Sequence, residues 1–145
     1  MTEHSAIRVE RHVAAPPSTV FAYLTSSERW ARWQGADATI DAVPGGLFRM
    51  RMGTGQTARG QFVTVVPDER VVFTWGWIDR PEIPPGSTVV DIELIPTDEG
   101  TLIRLTHREL AAEEMPAHEV GWQHYLARLA VVAAGGDPGP DEGPA

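Results

Sequence analysis

The chain has 145 residues, enough for one domain with a sizeable core, and 42% of them are hydrophobic. It contains no cysteine and no lysine, all 12 basic residues being arginine, which excludes disulfides, thiolate nucleophiles, cysteine metal sites and lysine Schiff bases. A net charge of −8 disfavours nucleic acid and anionic membrane surfaces as partners.

No run approaches the ~20 apolar residues that cross a bilayer, and Met1–Ser5 has neither the basic nor the apolar part of a signal peptide. A cytoplasmic protein is expected. The elements then follow in order. Ile7–Val13 alternates apolar and polar residues, the pattern of a half-buried strand. Pro16 and Pro17 suit the first turn of a helix that carries Val20, Phe21 and Leu24 on one face. Ser26 or Ser27 caps a second short helix, with Trp30 and Trp33 three apart.

Six strands follow. Thr39–Val43 is short and is broken by Pro44-Gly45-Gly46. Leu47–Met52 puts Phe48, Met50 and Met52 on one face and Arg49 and Arg51 on the other. Gly53-Thr54-Gly55 turns the chain into Arg59–Val66, and Pro67-Asp68-Glu69 turns it back. Val71, Phe73, Trp75 and Trp77 line one face of the next strand, which ends in a proline-rich loop, 79–87. Val90, Ile92 and Leu94 alternate with Asp91 and Glu93, read as an outer, solubilising face. After the turn at 97–100, Ile103, Leu105 and His107 share a face.

Pro116 opens a long amphipathic helix with Trp122, Tyr125, Leu126, Leu129 and Val132 at spacings of three and four, ended by Gly135-Gly136. Residues 1–134 read as one domain. Residues 135–145, an acidic tail rich in glycine and proline, are expected to be disordered. The fold class is α+β: antiparallel strands followed by one terminal helix must bury that helix against the sheet.

Several pieces, in order, carry a family resemblance. They are 15–21 at the first helix, Trp30 and Trp33, 44–49, Gly60-Gln61-Phe62 with Pro67, 71–75, 101–107 and Gly121-Trp122. Over about residues 6 to 134 the chain resembles the helix-grip, START/Bet v 1-like (SRPBCC) superfamily, in the branch of the C-terminal domain of the activator of Hsp90 ATPase. The resemblance implies a curved antiparallel sheet wrapped around the C-terminal helix, with two short helices between strands 1 and 2. It also implies a cavity between helix and sheet. Its members carry hydrophobic ligands, act as cyclases or hydrolases, or assist a chaperone, so it implies a site location and no single reaction.

The residues expected to line such a cavity are Trp30, Trp33, Phe48, Met50, Phe62, Phe73, Trp75, Trp77, His107, His118, Trp122 and Tyr125. Each ring serves either as core or as ligand wall. Trp30 and Trp33 are placed to gate the entrance. Met50, Met52 and Met115 suit an adaptable wall. His107 and His118 are the polar candidates for orienting a ligand or for acid–base work, while His12 and His124 read as outward-facing. A zincin motif fails at position 122, which is Trp where a second His is required, so no metal is expected, and no cofactor. The reading favoured is a small hydrophobic or aromatic ligand bound without an assigned reaction. The alternatives are a cyclase or hydrolase using a cavity histidine, and a co-chaperone-like interaction domain. A homodimer is compatible with the fold.

Overall fold

A computed structural model describes residues 4–144; Met1–Glu3, read above for a leader, and Ala145 of the tail lie outside them. The order is β1 (His4–Val13), α1 (Pro17–Thr25), α2 (Ser27–Trp30), β2 (Asp37–Ile40), β3 (Leu47–Arg51), β4 (Thr57–Val66), β5 (Arg70–Trp75), β6 (Thr88–Thr97) and β7 (Gly100–Ala111). A 3-10 turn at Ala112–Glu114 leads into α3 (Met115–Ala133). The seven strands form one antiparallel curved sheet in the order β1-β7-β6-β5-β4-β3-β2, and α3 lies in its concave face. This is the helix-grip architecture that the pattern of strands and the resemblance imply.

Local chemistry sets most boundaries. Pro17 stands in the first turn of α1, where its missing N–H has no intrahelical partner to lose. The Ser26 hydroxyl caps α2 by accepting from the Arg29 N–H at 3.3 Å. Gly135, at φ +93°, closes α3 in the left-handed conformation, and the Gly136 N–H returns to the Val131 carbonyl. Strand β2 is three residues shorter at its end than Thr39–Val43 suggests, because Asp41 and Val43 turn back on one another before Pro44.

The alternation of each strand delivers one face to the core. Phe48, Phe62, Phe73, Val90, Ile92, Ile103 and Leu105 are fully buried under α3 and α1. Phe48 and Phe73 stack at 4.3 Å between centroids, and the edge of Trp30 meets both. Strand β5 ends at Trp75, so Trp77 lies just beyond the ladder, joined to it by one bridge to Ala58. Gly76 makes this possible: a Cβ there would fall 1.8 Å from the Pro84 carbonyl oxygen, so only glycine lets the 78–87 loop fold back this closely.

The outer face holds one departure from the sequence reading. Asp91 is not solvated; it is 4% exposed. Its carboxylate takes a forked bond from Arg70, whose Nε donates at 2.9 Å, and a third bond from Arg108 Nη1 at 3.1 Å. Period-2 alternation distinguishes faces, but it cannot tell a solvated acid from one covered by two arginine stems. Arg49 and Arg51 are exposed on the outer face, as their parity requires. Among the described residues no helix is long and apolar enough to cross a membrane.

Asp91 fastens β5, β6 and β7 across that face. Replacing Asp91 with Ala leaves two guanidinium groups without their shared acceptor, with an expected loss of about 1–3 kcal/mol in urea unfolding. An unchanged midpoint would show the triad to be energetically idle.

Candidate functional site

The main cavity, about 480 Å³, opens at the N-terminal end of α3, between that helix, the ends of β4 and β5, and the C-terminal segment. Trp75, Trp77, Trp122 and Tyr125 supply its aromatic wall. Met52, Gly53, Thr54 and Gln56 of the β3–β4 turn, Arg80 and Gln34 form its sides. On α3 the residues Ala117 and Gly121, one turn apart, leave the room that larger side chains would fill.

Of the twelve residues expected to line a cavity, the structure brings five together there: Trp75, Trp77, His118, Trp122 and Tyr125. The other seven, Trp30, Trp33, Phe48, Met50, Phe62, Phe73 and His107, are packed into the closed core. Trp30 and Trp33 do not stand at an entrance; both are fully buried, with their N–H groups bound to Gln34 Oε1 and the Tyr23 carbonyl. Sequence parity could not separate the two groups, since core and cavity both lie on the concave side. The small pair Ala117 and Gly121 was the overlooked signal.

The two candidate histidines are each locked by an indole. Trp122 Nε1 donates to His107 Nδ1 at 3.0 Å. An indole nitrogen can only donate, so His107 carries its proton on Nε2 and gives it to the Thr88 hydroxyl at 2.8 Å. Thr88 in turn donates to the Trp75 carbonyl at 2.8 Å. Trp77 Nε1 donates to His118 Nε2 at 3.3 Å, and His118 Nδ1 donates to the Glu114 carbonyl at 2.8 Å. Both imidazoles are therefore neutral and have both nitrogens engaged. Burial, and then the neighbouring His118, push His107 down to about 3. Burial also lowers His118, against the pull of the Glu114 carbonyl.

The cavity's outer wall comes from the tail. Residues 137–144, expected from composition to be disordered, instead lie back along α3. The guanidinium of Arg128 binds the carbonyls of Pro138, Gly139 and Pro140 at 3.0–3.2 Å and that of Trp33 at 3.0 Å. The Asp141 carboxylate accepts from the Gly35 N–H at 2.9 Å and from the Gly143 N–H at 3.0 Å. Burial alone would raise that carboxyl, but the two N–H groups, Arg128 and the Tyr125 hydroxyl together hold it below the usual range. His124, read as outward-facing, stands over it, with Nε2 3.6 Å from Oδ1. Asp141, Glu142, Gly143 and Pro144 thus complete the wall. Tyr125, its hydroxyl 3.5 Å from Met52 Sδ, is pushed up to about 12, by burial first and by Asp141 second. Arg80 is held by Glu82 at 2.8 Å and Glu114 at 2.6 Å. Among the described residues no three His, Asp or Glu side chains gather as a metal site would need.

The comparisons agree with this architecture. The model of the family described as Activator of Hsp90 ATPase homolog 1-like protein matches residues 14–134. The chain belongs to that family. As an Activator of Hsp90 ATPase homolog 1-like protein it is part of the SRPBCC/Bet v 1-like superfamily. The solution structure of an AHSA1-like protein from Rhizobium etli is 48% identical, covering 97% of this chain and 88% of its own, with a TM-score of 0.77. DynU16, from the dynemicin biosynthetic locus, is 24% identical over 92% of this chain and 48% of its own, with a TM-score of 0.80. The Aha1 dimer from Colwellia psychrerythraea is 18% identical over 91% of this chain and 98% of its own, with a TM-score of 0.80. The last two show likeness of fold. No curated protein matches this chain.

The locked histidines set a pH signature. The unfolded imidazole of His107 takes a proton near 6.5, the folded one only near 3, so between those values the unfolded state binds more protons. Stability is full above pH 6.5 and falls as the pH drops, by about 1.4 kcal/mol per unit from this residue. His107→Gln, whose amide can still accept from Trp122 and donate to Thr88, should flatten the urea-unfolding profile by that slope. An unchanged slope would mean that His107 is charged in the folded protein.

Arg128→Ala removes the fork that holds the tail. Charge-assisted bonds of this kind are worth about 1.5–3 kcal/mol each. Amide exchange at Gly139 and Gly143 is therefore expected to speed up at least tenfold. Equal exchange in both proteins would show that the segment is held by something else.

Proposed function

We propose that this protein binds a small, predominantly aromatic or apolar molecule in the cavity between α3 and the sheet. The observation that carries this is the 480 Å³ space walled by Trp75, Trp77, Trp122 and Tyr125. Rings of that size give a flat ligand broad contact at low entropic cost, and each 100 Å² of apolar surface removed from water contributes about 2.5 kcal/mol, less the cost of association. Polar side chains, Gln34, Thr54, Gln56, Arg80, His118, Asp141 and Glu142 among them, share the wall with the rings and can orient a ligand held mainly by burial against them.

The engaged histidines bear on the enzymatic alternative. A general base needs a free lone pair near the reacting group. On His107 and His118 that lone pair already accepts from an indole. Binding without chemistry is the reading that this arrangement favours.

Gly121 offers a clean test. A Cβ added there meets nothing within 4 Å, so a larger side chain would grow into the cavity. Leucine also raises helix propensity by almost 1 kcal/mol over glycine. Gly121→Leu should therefore abolish any co-purifying adduct of a few hundred daltons in native mass spectra, and weaken aromatic-library hits at least tenfold, while the Tm stays level or rises. Retained adducts in a stable Gly121→Leu protein would place the ligand elsewhere.

A further inference from the structure

We infer that residues 137–144 are a lid on the cavity, that an occupant enters and leaves only while this segment is lifted, and that the Asp141 carboxylate is its catch. The inference rests on the cavity reading above and adds how the cavity is opened.

The segment lies where a lid must. Its residues 141–144 face Met52, Gly53 and Thr54 of the β3–β4 turn around the same space. The approach is close: a Cβ built on Gly53 would stand 3.7 Å from the Asp141 carbonyl oxygen. Asp141 also reaches Gly35, in the loop between α2 and β2. A segment rooted at the end of α3 thus meets two loops of the sheet side. Lifting it opens the cavity between them.

Its attachments suit opening. Residues 136–144 are all exposed or half-buried, so the segment adds little apolar burial of its own. Such segments open at the low end of a protein's range of local stability. What holds this one is polar and concentrated at two points, Arg128 on three of its carbonyls and the Asp141 carboxylate. Gly135, at φ +93°, and Gly136 stand at its root, while Pro138, Pro140 and Pro144 stiffen it. A stiff arm on a pliable root is the build of a hinged element.

Asp141 is the catch because its bonds reach across the fold. Its side chain is only 8% exposed, and it accepts from the Gly35 N–H at 2.9 Å. His124 Nε2, which has no hydrogen-bond partner among the described residues, stands 3.6 Å from Oδ1. The Tyr125 hydroxyl faces the same carboxylate. Tyr125 is also cavity wall, its hydroxyl 3.5 Å from Met52 Sδ. One phenol therefore borders both the catch and the space an occupant fills, which couples filling to closure.

The test uses 1-aminoanthracene, a neutral dye that brightens when taken out of water, in stopped-flow fluorescence on the full chain and on Asp141→Ala. Both association and dissociation should speed up by about tenfold or more, the weight of one charge-assisted hydrogen bond in the closing equilibrium. Faster dissociation alone would make the segment a wall and no lid. Faster association alone would mean that it excludes the dye and never encloses it. Unchanged rates would mean entry by another route. Each of these three overturns the lid and leaves the cavity standing. Should Asp141→Ala fail to fold, Asp141→Asn, which keeps an acceptor for Gly35 and gives up the charge, must speed both rates, and unchanged rates there overturn the lid equally. If neither the dye nor any member of an aromatic library binds, or if dye binding survives in a folded Gly121→Leu protein, the cavity reading falls and the lid with it.

Discussion

An indole carries its N–H wherever it packs, and an apolar core has few acceptors to offer. Five tryptophans in one small domain therefore impose a matching problem. The protein solves much of it with imidazole. Trp122 on α3 reaches His107 on β7, and Trp77 beyond β5 reaches His118 on α3. These two bonds run in opposite directions between helix and sheet and register one against the other. Because a donor-only group decides which nitrogen must accept, each also fixes a tautomer, and with it the direction of the next bonds, to Thr88, the Trp75 carbonyl and Glu114.

The cavity is the residue of that arrangement. The indoles are held in place at the β5 end of the sheet, and Ala117 and Gly121 keep α3 from closing over them. Further along α3, Leu126 and Leu129 are fully buried in the core. The same helix thus acts as core at one end and as lid frame at the other. The difference is side-chain volume, not secondary structure.

Much of the fold was legible because its signals are local. Alternation in 90–94 and 101–107 reports a sheet with one buried face, and the spacing of Trp122, Tyr125 and Leu129 reports a helix lying on it. The site was only half legible. Phe48, Phe62 and Phe73 point the same way as Trp75, and nothing in their pattern says that the first three meet other side chains while the last meets a gap. Asp91 looked like any outer-face acid because its partners, Arg70 and Arg108, are 21 and 17 residues away in sequence. The tail was opaque for another reason. It has almost no apolar surface, so composition alone argues for disorder, yet its backbone carbonyls suffice for Arg128 to hold it.

That strap gives the protein a division of labour. The sheet and α3 are bound by close packing, where most changes of volume are felt throughout. Residues 137–144 belong to no strand or helix; 141–144 touch the cavity, and the segment is held by Arg128 on three of its carbonyls and by the Asp141 carboxylate on the Gly35 N–H. The part of the cavity's wall that is least tied to the packed core is thus the part formed by the chain's last described residues.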